Sequence, residues 1–202
     1  MSDALIALAG RTLGALLYYP PLSAPNAGLL NALAAPGWEH EWPEMAGTRA
    51  AAALIRQGLA SPWHESLEDT FQNLFIGPYA LPAPPWGSVY LDREGVLFGE
   101  STVALRRWLA REGITTRQRD GEPEDHIGLL LMLAAWLAEN NAGQLDALLE
   151  QHLLPWSGRY LTLLEQGTDH PFYRGVARLA SLTLDRWRQQ RGLQLPAREL
   201  FR

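Results

Sequence analysis

The chain has 202 residues, 47% of them hydrophobic and 19% charged, and carries a formal net charge of -5 from 17 Lys+Arg against 22 Asp+Glu. That composition supplies a buried core and excludes disorder as a description of the whole chain, while the acidic balance excludes the broad basic footprint of non-specific nucleic-acid binding. Cysteine is absent, which removes disulfides, iron–sulfur clusters, thiolate zinc sites and a cysteine nucleophile together.

The length predicts one domain spanning 1–202. Met1-Ser2-Asp3 leads into helical alternation with no basic n-region and no continuous apolar h-region, so no secretory or twin-arginine signal is predicted and a cytoplasmic location is expected. The most apolar stretch, 127–138, is shorter than the ~20 residues of a membrane span.

In chain order, Leu5, Leu8, Thr12, Leu13, Leu16 and Leu17 recur at helical spacing and predict a helix over 3–17, capped by Ser2 or Asp3 and ended by Pro20-Pro21. Shorter helices are expected over 26–35 and 48–59, with Trp38 and Trp42 in the connector. Ser61-Pro62 reads as a cap with proline at the first helical position, after which Trp63, Leu67, Phe71, Leu74 and Phe75 predict an aromatic-faced helix reaching Gly77-Pro78. From 77 to 99 eight prolines and glycines forbid a long helix or central strand, yet Tyr79, Trp86, Tyr90 and Phe98 demand a surface to lie on. An ordered loop packed on the helices is expected there.

Helical patterning resumes behind Ser101-Thr102, with Leu105, Trp108 and Leu109 inward and Gly113 as terminator, and a polar connector follows over 114–121. Glu122-Pro123-Glu124-Asp125 has the acidic residues and early proline of a helix start, so the central helix is predicted to open there and continue through the apolar run 127–137. Further helices are expected over 143–153, 157–165 and 171–192, with no strand pattern or fixed-period repeat competing. The fold class is all-α, with roughly eight to ten helices.

Catalytic signatures are missing: there is no HExxH, P-loop, GxGxxG or GxSxG motif, and the five histidines never fall at paired helical spacing. Asp125-His126 alone looks like an acid/base pair, and the plainer reading is an electrostatically favoured helix entrance with a structural histidine. An aromatic, proline-rich loop beside a helix makes an apolar groove suited to a peptide. Glu122, Glu124, Asp125, Asp92 and Glu94 are its candidate acidic lining, and carboxylates there would select guanidinium over ammonium.

Three stretches in order, Phe71-Gln72-Asn73-Leu74-Phe75-Ile76-Gly77-Pro78, Pro84-Pro85-Trp86-Gly87-Ser88-Val89-Tyr90-Leu91-Asp92 and Glu122-Pro123-Glu124-Asp125-His126, resemble the TorD/DmsD family of redox-enzyme maturation chaperones, and within it the DMSO reductase branch. Tyr18-Tyr19, Leu97-Phe98-Gly99, His170-Pro171-Phe172-Tyr173 and Leu200-Phe201-Arg202 extend the likeness over essentially the whole chain. The resemblance implies a chaperone without catalytic turnover or a cofactor of its own. It would bind the twin-arginine signal peptide of a molybdoenzyme catalytic subunit of DMSO reductase type, with Tat translocase components as further candidate partners. It assigns peptide binding to Leu74, Phe75, Pro85, Trp86, Gly99, Pro123, Asp125 and His126, to which the acidic reading adds Glu122. Phe71 and Tyr79 stand where relatives often carry tryptophan, and both remain aromatic. The alternatives are a GTP-binding assembly factor and a stable structural subunit of a reductase.

Overall fold

A computed structural model describes residues 2–43, 45–60, 65–117, 119 and 121–202. The chain is all-α: α1 (Asp3–Tyr18), α2 (Ala24–Ala34), α3 (Thr48–Ala60), α4 (Leu67–Phe71), α5 (Ser88–Leu91), α6 (Glu100–Arg111), α7 (Ile127–Asn140), α8 (Leu145–Leu148), α9 (Leu154–Gln166) and α10 (Pro171–Arg191). Among the described residues no strand forms, and one isolated antiparallel bridge joins Trp86 to His126.

The core is organised around two helix pairings, α1 on α7 and α10 on α3, with α9 packed against α10. Helix α1 ends where predicted because Pro20 forces Tyr19 into extended backbone, φ −98° and ψ 142°. Its inner face differs from the prediction. Leu8 is 43% exposed, while Ile6, Ala9, Leu13, Leu16 and Leu17 are buried. The reason is the closeness of α7: a Cβ at Gly14 would lie 2.8 Å from the Gly128 carbonyl and 3.0 Å from the Met132 nitrogen. Backbone cannot yield there as a flexible side chain can, so small residues line the seam. Gly14→Ala is expected to cost about 2–3 kcal/mol by forcing the two helices apart. Gly28→Ala, which meets nothing within 4 Å on α2, is expected to be neutral or slightly stabilising. Denaturant midpoints of the two variants check this, and equal midpoints would refute the tight seam.

The central helix starts later than predicted. It opens at Ile127 with His126 as N-cap, whose Nδ1 accepts the Gly128 N–H at 3.0 Å. Glu122 to Asp125 remain outside as a turn, because the Asp125 carbonyl accepts from Gly87 N at 3.2 Å instead of continuing into the helical ladder. Histidine caps a second helix as well, since His170 Nδ1 accepts the Phe172 N–H at 3.3 Å at the start of α10.

Ser61, Pro62 and Trp63, predicted to open the fourth helix, lie outside the described residues. Within them, α4 is capped by Ser66, whose hydroxyl accepts from Asp69 N at 3.1 Å, and it widens into a π-turn over Gln72–Ile76. The 3.6-residue period does not encode that wider turn. A second π-turn, Leu149–Leu153, joins α8 to α9 and admits Pro155, which lacks the N–H of a regular ladder. The segments predicted as 143–153 and 157–165 are thus one continuous run.

The loop over 77–99 contains α5 and is anchored by Ala83 and Tyr90, both fully buried. Tyr79, at 83% exposure, and Val96, Leu97 and Phe98 stay at its surface. The C-terminal segment straps this loop from outside: Phe201 N donates to Tyr90 O at 2.9 Å and the Arg202 guanidinium to Leu81 O at 2.9 Å.

Candidate peptide-binding site

The two motif loops are tied to each other directly. Ile127 N donates to Pro85 O at 2.8 Å and Gly87 N to Asp125 O, which places Trp86 opposite His126 in the bridge. A Cβ on Gly87 would meet the Trp156 indole nitrogen at 2.9 Å, so the loop lies flat on that ring only because the residue is glycine. The proline-rich loop is therefore held by the turn before α7 and by α9 beneath it.

Asp125 makes the third tie. Its Oδ2 accepts the Ser88 N–H at 2.7 Å, at the first residue of α5, and the carboxyl is buried. Burial raises its proton affinity and the Ser88 N–H opposes that rise. The Thr102 and Ser88 hydroxyls act in the same sense as that N–H, although both stand outside hydrogen-bond geometry. The expected role of Asp125 as a carboxylate open to a leader arginine is thus not what this geometry offers: the group is turned inward and joins two loops. Beside it lies a cavity of about 30 Å³ bordered also by His152 and Arg198, a volume that suits water rather than a ligand.

His126 is also internal. Burial, reinforced by the positive charge of Arg119, pushes its imidazole down to about 3, so it is neutral at physiological pH. With Nδ1 capping α7 and Asp125 bonded to α5, the two neighbours serve different helices and do not form an acid/base pair.

The accessible part of the site lies just outside these ties. Trp86 is half-buried and its indole N–H donates to Glu122 Oε1 at 2.6 Å. Glu122, also half-buried, is raised by burial, against which the indole N–H and the charge of Arg119 act. The Trp86 ring stands edge-on to His126 at 6.0 Å, His126 edge-on to Tyr18 at 5.0 Å, and Tyr18 edge-on to Tyr19 at 4.9 Å. A row of four rings thus runs from the loop to the end of α1, with one carboxylate at its Trp86 end; its two middle rings, His126 and Tyr18, are buried, which leaves Trp86 and Tyr19 at the surface. Pro85 and Pro123 are buried beneath it.

The remaining acids divide. Asp92 caps α6, accepting from Ser101 N at 3.1 Å and from the Ser101 hydroxyl at 2.7 Å, and a side chain at position 99 would collide with that carboxylate. Gly99 therefore acts by clearing space for the cap. Glu124 pairs with Arg106 at 2.7 Å, and the Arg106 guanidinium covers the Phe98 ring at 5.0 Å. Phe98 holds a positive φ of 60°, a strained conformation for an aromatic residue that commonly marks a functional segment. Glu94 is exposed.

The other predicted residues belong to a different cluster. Phe71, Leu74 and Phe75 are buried by the π-turn of α4, with Phe75 5.4 Å and Phe71 6.4 Å from the Tyr173 ring of α10. They hold the helix end in the core, leaving Ile76 and Tyr79 at the surface. Conversely, sequence reasoning did not place Tyr18, Tyr19, Ser88 or Arg119 in the site. The Tyr-Tyr pair at a proline-terminated helix end was a usable signal; nothing local to Arg119 or Ser88 was. Among the described residues no group of three or more His, Asp or Glu is placed to hold a metal ion, and no helix is long and apolar enough to cross a membrane.

The fold is all-α, and the two motif loops on which the family resemblance rests close on each other. Residues 42–162 match the family model described as "Nitrate reductase delta subunit". The chain is 48% identical over 197 residues to the "Tat proofreading chaperone DmsD" of Salmonella paratyphi A, covering 97% of this chain and 95% of that protein. It is 40% identical over 200 residues to the "Probable Tat proofreading chaperone DmsD" of Haemophilus influenzae, covering 98% and 97%. The fold is shared with the crystal structure of a "Putative Redox Enzyme Maturation Protein" from Archaeoglobus fulgidus, at TM-score 0.54, 19% identity and coverage of 88% and 93%. The chain belongs to the TorD/DmsD family.

Proposed function

We propose that this protein is a cytoplasmic chaperone that binds the twin-arginine signal peptide of a molybdoenzyme catalytic subunit of DMSO reductase type and holds it back from export during maturation, without catalytic turnover. The observation that carries this reading is the pairing of the proline-rich loop with the turn before α7, which puts the half-buried Trp86 and Glu122 at one surface. Such a leader is basic and then apolar, and the half-buried indole of Trp86 with the Glu122 carboxylate bonded to it complements both parts. Relatives matching nearly the whole chain, named as Tat proofreading chaperones, support the same reading.

Calorimetric titration with a synthetic leader of this type tests it, alongside the same peptide with both arginines replaced by lysine. Micromolar or tighter binding, weakened roughly tenfold by the lysine exchange, is expected because a guanidinium stacks on rings and bonds in a fork where an ammonium does not. A folded sample that binds neither peptide would overturn the proposal. Equal binding of both would remove arginine recognition from it.

A further inference from the structure

We propose that the two tyrosines ending α1 form a seat for an arginine of an incoming peptide, and that Arg119 of the protein's own connector fills this seat until a peptide displaces it. The inference rests on the leader-binding reading and deepens it by saying where the arginine goes.

Arg119 lies on the connector between α6 and α7, exposed, yet its guanidinium is closely held. Nη2 donates to the Tyr18 carbonyl at 2.8 Å, and the guanidinium carbon sits 4.6 Å from the Tyr18 ring centroid and 5.9 Å from that of Tyr19. Its backbone N–H donates to the Tyr18 hydroxyl at 3.0 Å. The Tyr18 carbonyl belongs to the last turn of α1, which has no basic residue of its own, so the negative end of that helix is met by a cation brought from more than a hundred residues away. Two aromatic faces, a helix-terminal carbonyl and the nearby charge of Glu122, which Arg119 lowers in proton affinity, are together the chemistry that recognises a planar cation.

The seat is continuous with the site, because Tyr18 touches His126, which faces Trp86. An arginine entering beside Trp86 therefore meets a place already taken by a group of its own kind. A resident that fills the seat nine-tenths of the time lowers an incoming ligand's apparent affinity roughly tenfold. Its removal returns that factor.

The test uses the full chain and two probes. With the leader peptide, Arg119→Ser is expected to bind roughly tenfold more tightly than the wild type. With N-acetyl-arginine amide alone, followed through the tyrosine ring resonances, Arg119→Ser is expected to respond at several-fold lower concentration than the wild type. The double variant Arg119→Ser/Tyr19→Leu, which alters the half-buried tyrosine and spares Tyr18, is expected to lose that gain. Equal responses of wild type and Arg119→Ser to the amide, or measurable leader binding that is unchanged or weaker in Arg119→Ser, would overturn the seat. If the amide enters the emptied seat while no leader binds either protein, the seat stands and the leader reading falls.

Discussion

Trp86→Ala is expected to weaken leader binding at least fivefold, by more than ~1 kcal/mol, as truncation of an aromatic interface anchor does, while leaving helix content unchanged. The backbone around Trp86 is fixed by bonds that its side chain does not make: Ile127 N to Pro85 O, Gly87 N to Asp125 O and Ser88 N to the Asp125 carboxylate. Removing the indole therefore leaves the loop in place and takes away the ring and the donor to Glu122. Trp86→Phe separates these two contributions, since it keeps an aromatic face and loses only the N–H. It is expected to retain most of the affinity if apolar contact dominates. Calorimetry on both variants, with circular dichroism as the folding control, gives the answer. Unchanged affinity in Trp86→Ala would remove it from the site, and a loss of helix content would make its role structural.

The second expected result concerns acid. His126 is held neutral in the fold at about 3, against about 6.5 in the unfolded chain. Above 6.5 neither state carries the proton and the group contributes its full stability. Between 6.5 and about 3 the unfolded chain takes up a proton that the folded chain refuses, so stability falls as pH is lowered. The slope from this one group is about 1.4 kcal/mol per pH unit, reaching about 5 kcal/mol over the window. Protonation would also cancel the Nδ1 acceptor that caps α7. Asp125 and Glu122 act in the opposite direction: their raised carboxyls bind protons more readily in the fold, and that part of the stability grows as pH falls.

His126→Asn isolates the histidine, because asparagine caps a helix well and does not titrate. The difference in unfolding free energy between wild type and His126→Asn should decline with acid between pH 6.5 and 4. His152, pushed down to about 4 by burial with Arg198 and Arg111 nearby, is present in both proteins and cancels. Denaturant melts at several pH values measure the difference. Parallel curves would overturn the buried, neutral state of His126.

Much of this protein was legible in its residues. The helix stops at Pro20-Pro21 and Gly192, the apolar α7 and the broken segment over 77–99 follow from local rules of proline, glycine and apolar spacing, and these act within a few residues. The same local patterns, set beside the family resemblance, singled out the proline-rich loop and the acidic turn that the fold joins at Trp86 and His126.

The docking of distant helices sets which way each of those residues faces and what holds it. Leu8 has the right spacing for the core but lies outside, because α7 comes so close to α1 that glycine and alanine fill the seam. Asp125 and Glu122 are three residues apart and chemically alike, yet one ties α5 to the turn and the other meets an indole at the surface. Phe71 and Phe75 are aromatic like Trp86 and belong instead to the packing against Tyr173. Arg119 finds Tyr18 across a sequence separation of 101. Apolar periodicity reports a residue's own helix, and the identity of its partner depends on how distant helices dock, so roles set by long-range contact became visible only in the folded chain.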